Sequence, residues 1–292
     1  MNRVFSAFHP SVSFAFFAVM FAFTMLFRQP IFLGVTLISA LSFSLMLNGR
    51  RGLKLSLLFY LPMFLIIAIS NPLFNHRGNT TLFFFMDNPI TLEAMLYGLC
   101  SAASLIAILA WFSCYNKVIT ADKFLYLFAK FIPAAALLIT MTIRMISKLK
   151  YQLKTIANAQ HTIGLDQSRG NLSERVKNGM RVISILLSWS MEEAIETADS
   201  MKARGYGLKN RTTFSLFKFD KRDGLVLGVI SVLAGICFAG YVLGYGTMQF
   251  YPSIRPLNFS TQAIVLYLVF AGLAFSPVII EVRESYKWRA YK

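Results

Sequence analysis

Most catalytic and metal-binding sites are assembled from carboxylates, thiols and imidazoles. This chain of 292 residues places few of them at useful spacings. Cys100, Cys114 and Cys237 lie in or beside apolar runs, and no two share a metal or redox spacing, so they read as small apolar packing residues. His9, His76 and His161 are far apart and give no support for a metal site. No Gly-rich phosphate loop is present, so the chain is not expected to bind or hydrolyse ATP. Lys54 and Glu93 stand near the ends of apolar runs and read as interfacial rather than catalytic. No catalytic, cofactor-binding or metal residue is therefore assigned. One acidic group stands out: Glu192, Glu193, Glu196 and Asp199, followed by Lys202 and Arg204. On a helix, Glu192–Glu196 and Glu196–Asp199 are like-charge neighbours, costing about a few tenths of a kcal/mol each. Negative charge near a helix C-terminus also opposes the dipole, which Lys202 and Arg204 favour. A structural face alone does not require such a group, so it is expected to meet cations of neighbouring segments or of a partner.

The elements around these residues are apolar. The chain is 56% hydrophobic and 14% charged, against about 25% charged in soluble domains, and holds 28 Phe. Long apolar runs separated by short polar segments predict an all-α, polytopic membrane helix bundle of about six spans. They fall at about 12–27, 31–47, 53–73, 92–113, 224–243 and 261–280. The first is read as an uncleaved membrane helix, because no small-residue cleavage site follows it. Arg28-Gln29-Pro30 and Asn48-Gly49-Arg50-Arg51-Gly52 read as turns. Pro62 lies inside the third span, and Asn71-Pro72 reads as its stop. Residues 74–91 form an irregular loop with room for a small hairpin turning at Asp87-Asn88-Pro89.

The net charge of +16 is concentrated: eighteen of the 29 Lys and Arg fall between Asn116 and Arg222. The positive-inside rule accounts for this crowding without nucleic acid. With the N-terminus inside, the inner segments and tail hold 25 cations, and the outer segments hold only Arg28, Arg77 and Arg255. The chain thus divides into N-terminal membrane helices (1–113), a long cytoplasmic arm (114–222), and C-terminal membrane helices with a basic tail (223–292). The location is the inner, cytoplasmic membrane of the cell, as a multi-pass protein in contact with the lipid bilayer.

The arm reads as two long helices. The first begins near Ala121-Asp122, passes Pro133, and runs to about Gln160 before Gly164 breaks it. Asp166 to Gly170 is a polar turn. The second begins at Asn171 or Ser173, with Asn171 and Glu174 close to a capping box, and ends at Gly205, a natural left-handed residue. Val176, Met180, Ile183, Leu187, Met191, Ala194, Ala198 and Met201 recur at three or four residues, a stripe expected to lie on the membrane or on a neighbour.

Met201-Lys202-Ala203-Arg204-Gly205-Tyr206-Gly207 resembles the Ala-Arg-Gly signature of the transmembrane T component of energy-coupling factor (ECF) transporters, the CbiQ-type family. Ser190-Met191-Glu192-Glu193-Ala194 before it and Arg211-Thr212 after it are similar to that family's context. Ile143-Arg144 looks like its Leu-Arg-Phe segment, which makes Arg144, with Glu192, Glu193 and Glu196, candidate support for the coupling helices. Asn71-Pro72-Leu73-Phe74, His76-Arg77-Gly78 and Asn88-Pro89-Ile90-Thr91 look like a loop between two of the family's spans.

The resemblance implies a non-catalytic energy-coupling subunit of an ABC-type importer that takes up vitamins or metal ions. Its two cytoplasmic helices cross, and each ends in a motif with a central Arg that docks in a groove of one of two ABC-type ATPase subunits. A separate small substrate-binding membrane subunit completes the assembly; no cofactor and no nucleic acid is implied. The docking residues carried over are Ala203, Arg204 and Gly205 at one end, and His161, Thr162, Ile163 and Gly164 at the other. Ile163 stands where the first motif should have its Arg, so the two ends are not expected to be equivalent; apolar contact, His161 or Arg169 would serve there. A stand-alone secondary transporter or channel is the alternative, although Pro62 is the main midspan irregularity and has no partner charge.

Overall fold

The computed structural model describes residues 4–75, 78–85, 88–129, 131–165, 171–208, 217–251 and 260–290. Helices dominate: α1 (Val4–Ala7), α2 (Pro10–Leu26), α3 (Pro30–Phe74), α4 (Leu92–Val118), α5 (Ala121–Ala129), α6 (Pro133–Thr162), α7 (Leu172–Ala203), α8 (Lys221–Val242) and α9 (Thr261–Ala290). One antiparallel hairpin, β1 (Thr81–Phe85) with β2 (Asn88–Thr91), lies between α3 and α4. Phe85 pairs with Asn88, so Asn88 and Pro89 belong to the second strand rather than to the turn. Asp87 lies outside the described residues, as do His76 and Arg77.

Four helices are long and apolar enough to cross a membrane: Pro30–Phe74, Leu92–Val118, Lys221–Val242 and Thr261–Lys287. The apolar α2 has 17 residues. The chain is thus an all-helical multi-pass membrane bundle, and among the described residues the expected six spans do not appear as six separate long helices. The difference arises chiefly in α3. Its 45 residues join the expected second and third spans, and would extend about 68 Å as one straight helix, more than twice a bilayer core of about 30 Å. Gly49 interrupts it at φ 67° and ψ 178°, a conformation that a side chain would resist. The basic turn is therefore a one-residue break inside otherwise helical backbone.

Two further expectations about proline are corrected. Pro72 does not stop α3; the helix continues to Phe74, and the Asn75 N–H donates to the Asn71 carbonyl at 2.9 Å. Pro72 leaves the Ala68 carbonyl without its usual donor, and Gly98 of α4 lies against that carbonyl, where an added Cβ would stand 2.7 Å from it. Pro133 does not sit within a helix begun near Ala121. It opens α6, where its missing N–H is no loss.

The chain falls into two compact units, 1–124 with 217–292 and 125–216. The first is built on aromatic packing. Phe16 and Phe17 meet Trp111 edge-on at 5.5 and 6.1 Å, and Phe27 stacks on Phe32 at 4.4 Å. Three buried hydroxyls are satisfied internally: Thr24 and Thr36 donate to carbonyls one turn back, and Ser39 donates across to the Ala274 carbonyl of α9. Charged groups anchor the irregular segments. Glu93, buried in the first turn of α4, accepts the N–H groups of Asn79 and Thr80 at 3.3 and 3.2 Å and the Thr80 hydroxyl at 2.8 Å. Near the N-terminus, the Phe5 N–H donates to Glu281, the His9 N–H to Asp223, and Lys123 to the Ser6 and Val118 carbonyls.

Candidate docking ends of the helical arm

The second unit is built on α6 and α7. Asn171 caps α7 through a capping box with Glu174, whose carboxylate accepts the Asn171 N–H at 3.3 Å. Val182 is buried on α7, and Leu186, Trp189, Glu193, Thr197 and Met201 are among its half-buried side chains. The predicted stripe divides: Ala194, Ala198 and Met201 line a groove with α6 residues, while its earlier members stay exposed. Val176, Met180, Leu187 and Met191 are each about 60–70% exposed, and Ile183 is nearly half exposed. Two apolar rows share this helix, offset by one or two positions, and burial selects the row that contains Trp189.

Lys148 of α6 meets the half-buried row. Its ammonium pairs with Glu193 and lies 5.6 Å from the centre of the Trp189 ring. The pair is partly exposed, which limits it to about 0.2–1 kcal/mol, with a similar amount from the cation–π contact. Arg144, one turn earlier, lines a groove of about 550 Å³ together with Met141, Met145, Glu193, Thr197 and Met201. The acidic group thus divides. Glu193 meets Lys148, and Asp199 meets Lys202 at 3.9 Å within its own helix. Glu192 and Glu196 are exposed and make no ion pair among the described residues. Trp189 was not marked by the apolar periodicity; a Trp one turn before a Glu on the less obvious row is the signal that carries it.

Both helices finish in the same way. At α6, the Gly164 N–H donates to the His161 carbonyl at 3.1 Å and the Leu165 N–H to the Gln160 carbonyl at 3.0 Å. At α7, the Gly205 N–H donates to the Lys202 carbonyl at 2.9 Å and the Tyr206 N–H to the Met201 carbonyl at 3.0 Å. Each is a Schellman closure, with its glycine left-handed at φ 82° and φ 79° respectively. Ile163 and Arg204 are the C-cap residues of the two closures, at φ −94° and ψ 13° and at φ −85° and ψ 9°.

The side chains at the two tips differ. Ile163 is 66% exposed. Thr162 turns its hydroxyl back to the Ala159 carbonyl, and His161 is exposed beside it. At the other tip, Arg204 is exposed and makes no ion pair among the described residues, and Ala203 beside it is exposed. Arg169, Asp166 and Arg211-Thr212 lie outside the described residues. Chemically, one tip offers a planar cation suited to a carboxylate, and the other an apolar surface.

Fold and site together define a multi-pass membrane protein with a two-helix unit that ends in matched, exposed tips. Among the described residues no group of three or more potential metal ligands occurs. No protein-family model matches the chain. Part of it is similar to proteins named energy-coupling factor transporter transmembrane protein EcfT. The relative from Lacticaseibacillus paracasei is 32% identical over 102 residues, 35% of this chain and 39% of that protein. The one from Bacillus selenitireducens is 32% identical over 110 residues, 37% of this chain and 41% of that protein. An uncharacterized Mycoplasma pneumoniae protein is 34% identical over 93 residues, 32% of this chain and 21% of its own length. The similarity therefore spans about two-fifths of the length of these EcfT proteins.

Proposed function

We propose that this chain is the transmembrane coupling subunit of an ECF-type ABC importer. In this reading it is not an enzyme. It binds two ABC-type ATPase subunits through the tips of α6 and α7, and a small substrate-binding membrane subunit through its membrane helices. The imported substrate class is vitamins or metal ions, recognised on another chain. Residues 114–222 form the arm on the cytoplasmic side, both chain ends lie on that side, and α2 with the two halves of α3 completes six spans.

The observation that carries this is the repeated closure of α6 and α7, with Arg204 exposed and unpaired among the described residues at one of them. Similarity to the EcfT proteins supports it independently. A guanidinium on a helix tip can form a bidentate pair with a carboxylate in a partner's groove. Arg204→Glu replaces that attraction with repulsion. Uptake by cells carrying the variant is expected to be lost, and ATPase subunits recovered with the purified chain should fall. Unchanged uptake with an unchanged complex would exclude the docking role. If the wild-type chain purifies alone and still transports, it acts as a secondary transporter or channel.

A further inference from the structure

The membrane unit contains a cavity of about 420 Å³ walled by Met25, Leu33, Leu105, Ile108 and Phe250, with Arg28, Tyr97, Cys100, Ser101 and Ser104 also lining it. Its polarity is graded along α4. Phe17 lies 5.6 Å from Tyr115, and the Ser104 hydroxyl donates to the Thr24 carbonyl at 3.3 Å, so α2 runs antiparallel to α4. That order places Arg28, just past the end of α2, toward Tyr97 and Ser101, and away from Leu105 and Ile108. One end therefore carries a guanidinium, a phenol and a hydroxyl, and the other is hydrocarbon. From Tyr97 to Ile108 the helix rises about 16 Å, close to half of a bilayer core of about 30 Å.

We infer that this cavity is a site for an anionic phospholipid of the phosphatidylglycerol type, held in the leaflet that contains the α2–α3 turn. Arg28 receives the phosphodiester, Tyr97 and Ser101 face the glycerol region, and one acyl chain lies against Leu105 and Ile108. The gradient matches a phospholipid in length and in order. Charge complementarity selects the headgroup. Arg28 is exposed and has no ion-pair partner among the described residues, so its charge is free for a phosphate. Among the described residues that line the cavity none is acidic, so a headgroup amine finds no counter-charge from them. The inference depends on the chain being a membrane bundle and not on the transporter reading.

The test is native mass spectrometry of the full chain, purified in mild detergent with whatever subunits accompany it. Phosphatidylglycerol and phosphatidylethanolamine are added back in equal amounts. Phosphatidylglycerol should be retained preferentially, about tenfold less by Arg28→Ala and to an intermediate degree by Arg28→Lys, which keeps the charge but not the fork. Equal retention of the two lipids by the wild type overturns the assignment, as does a preference that survives both substitutions. If Arg28→Ala does not fold, the headgroup comparison and Arg28→Lys still decide the question. Loss of a protein subunit instead of lipid on substitution would show a subunit contact and overturn the lipid site.

Discussion

Ile163 and Arg204 hold the same position in the same backbone structure: each is the C-cap residue of a Schellman closure, followed by a left-handed glycine. The two tips are alike in backbone and opposite in side-chain chemistry. If both dock on a partner, they must do so through different forces, and ionic strength separates the two. Electrostatic attraction at an exposed site is screened over about 8 Å at 0.15 M salt and about 3 Å at 1 M, whereas apolar contact is not weakened in this way. Recovery of a partner held by Arg204 should therefore fall as salt rises. Recovery that depends on Ile163, read as the difference made by Ile163→Ser, should hold or rise. Co-purification of wild type, Ile163→Ser and Arg204→Ala across that salt range measures both slopes, and equal slopes would refute the asymmetry.

Gly205 is the more restrictive of the two closing glycines. Besides its φ of 79°, an added Cβ would lie 2.9 Å from Leu208 Cδ1, whereas none of the described residues stands within 4 Å of a Cβ at Gly164. A left-handed non-glycine residue costs about 1–2 kcal/mol. Gly205→Ala should loosen the end of α7 more than Gly164→Ala loosens the end of α6. Hydrogen exchange of the amides at 204–208 and 163–165 reads this directly; equal acceleration at both ends would contradict it.

His9 should make the N-terminal segment sensitive to acid. Its imidazole pKa is held below the usual value, first because burial disfavours the charged ring; nearby Asp223 opposes this only in part. Nδ1 also accepts the Ser11 N–H at 3.3 Å at the start of α2, a bond that protonation removes. A lowered folded-state pKa means that the unfolded chain binds more protons as pH falls through about 6.5. Stability is then present above that pH and is lost below it. Thermal unfolding of the purified protein from pH 7.5 to 5.5 should show the decline. His9→Asn, which keeps a capping oxygen and does not titrate there, should flatten it. A slope unchanged by His9→Asn would assign the effect elsewhere.

Glu93 should matter for the loop and not for chemistry. Its carboxylate gathers Asn79 and Thr80, and Gly78, at φ 152°, sits so close that an added Cβ would be 2.6 Å from Glu93 Oε2. Glu93→Ala removes the charged acceptor that holds Asn79 and Thr80, at a cost of about 1.5–3 kcal/mol, and Gly78→Ala pushes the same carboxylate aside. Both variants should expose residues 78–81 to limited proteolysis while the rest of the chain stays resistant. A loop as resistant as in wild type would remove the anchor from consideration.

Much of this was legible without coordinates. Apolar run length alone marks a membrane protein, because the bilayer admits few backbone solutions. The caps of α7 were also local: Asn171 with Glu174 and Gly205 depend on neighbours within a turn. The tip residues Ala203, Arg204 and Gly205 follow from the same short string. Local rules fail at Pro72 because a helix tolerates proline where the freed carbonyl finds other company, as Ala68 does beside Gly98. That depends on a residue about thirty positions away and is invisible to local rules.

What the sequence determined by itself was set by nearest neighbours: the caps of α7, the crowding of positive charge, and an Arg at one tip where the other has Ile. What the tertiary structure decided was which of two possible rows on α7 is buried. Periodicity favoured the Met180–Leu187–Met191 row, but the row holding Val182, Leu186, Trp189 and Glu193 is the less exposed one, with Lys148 of α6 paired to Glu193 and near Trp189. The choice belongs to the contact between two helices. A helix of this composition has more apolar surface than one neighbour can cover, and only that neighbour's side chains select which part is covered.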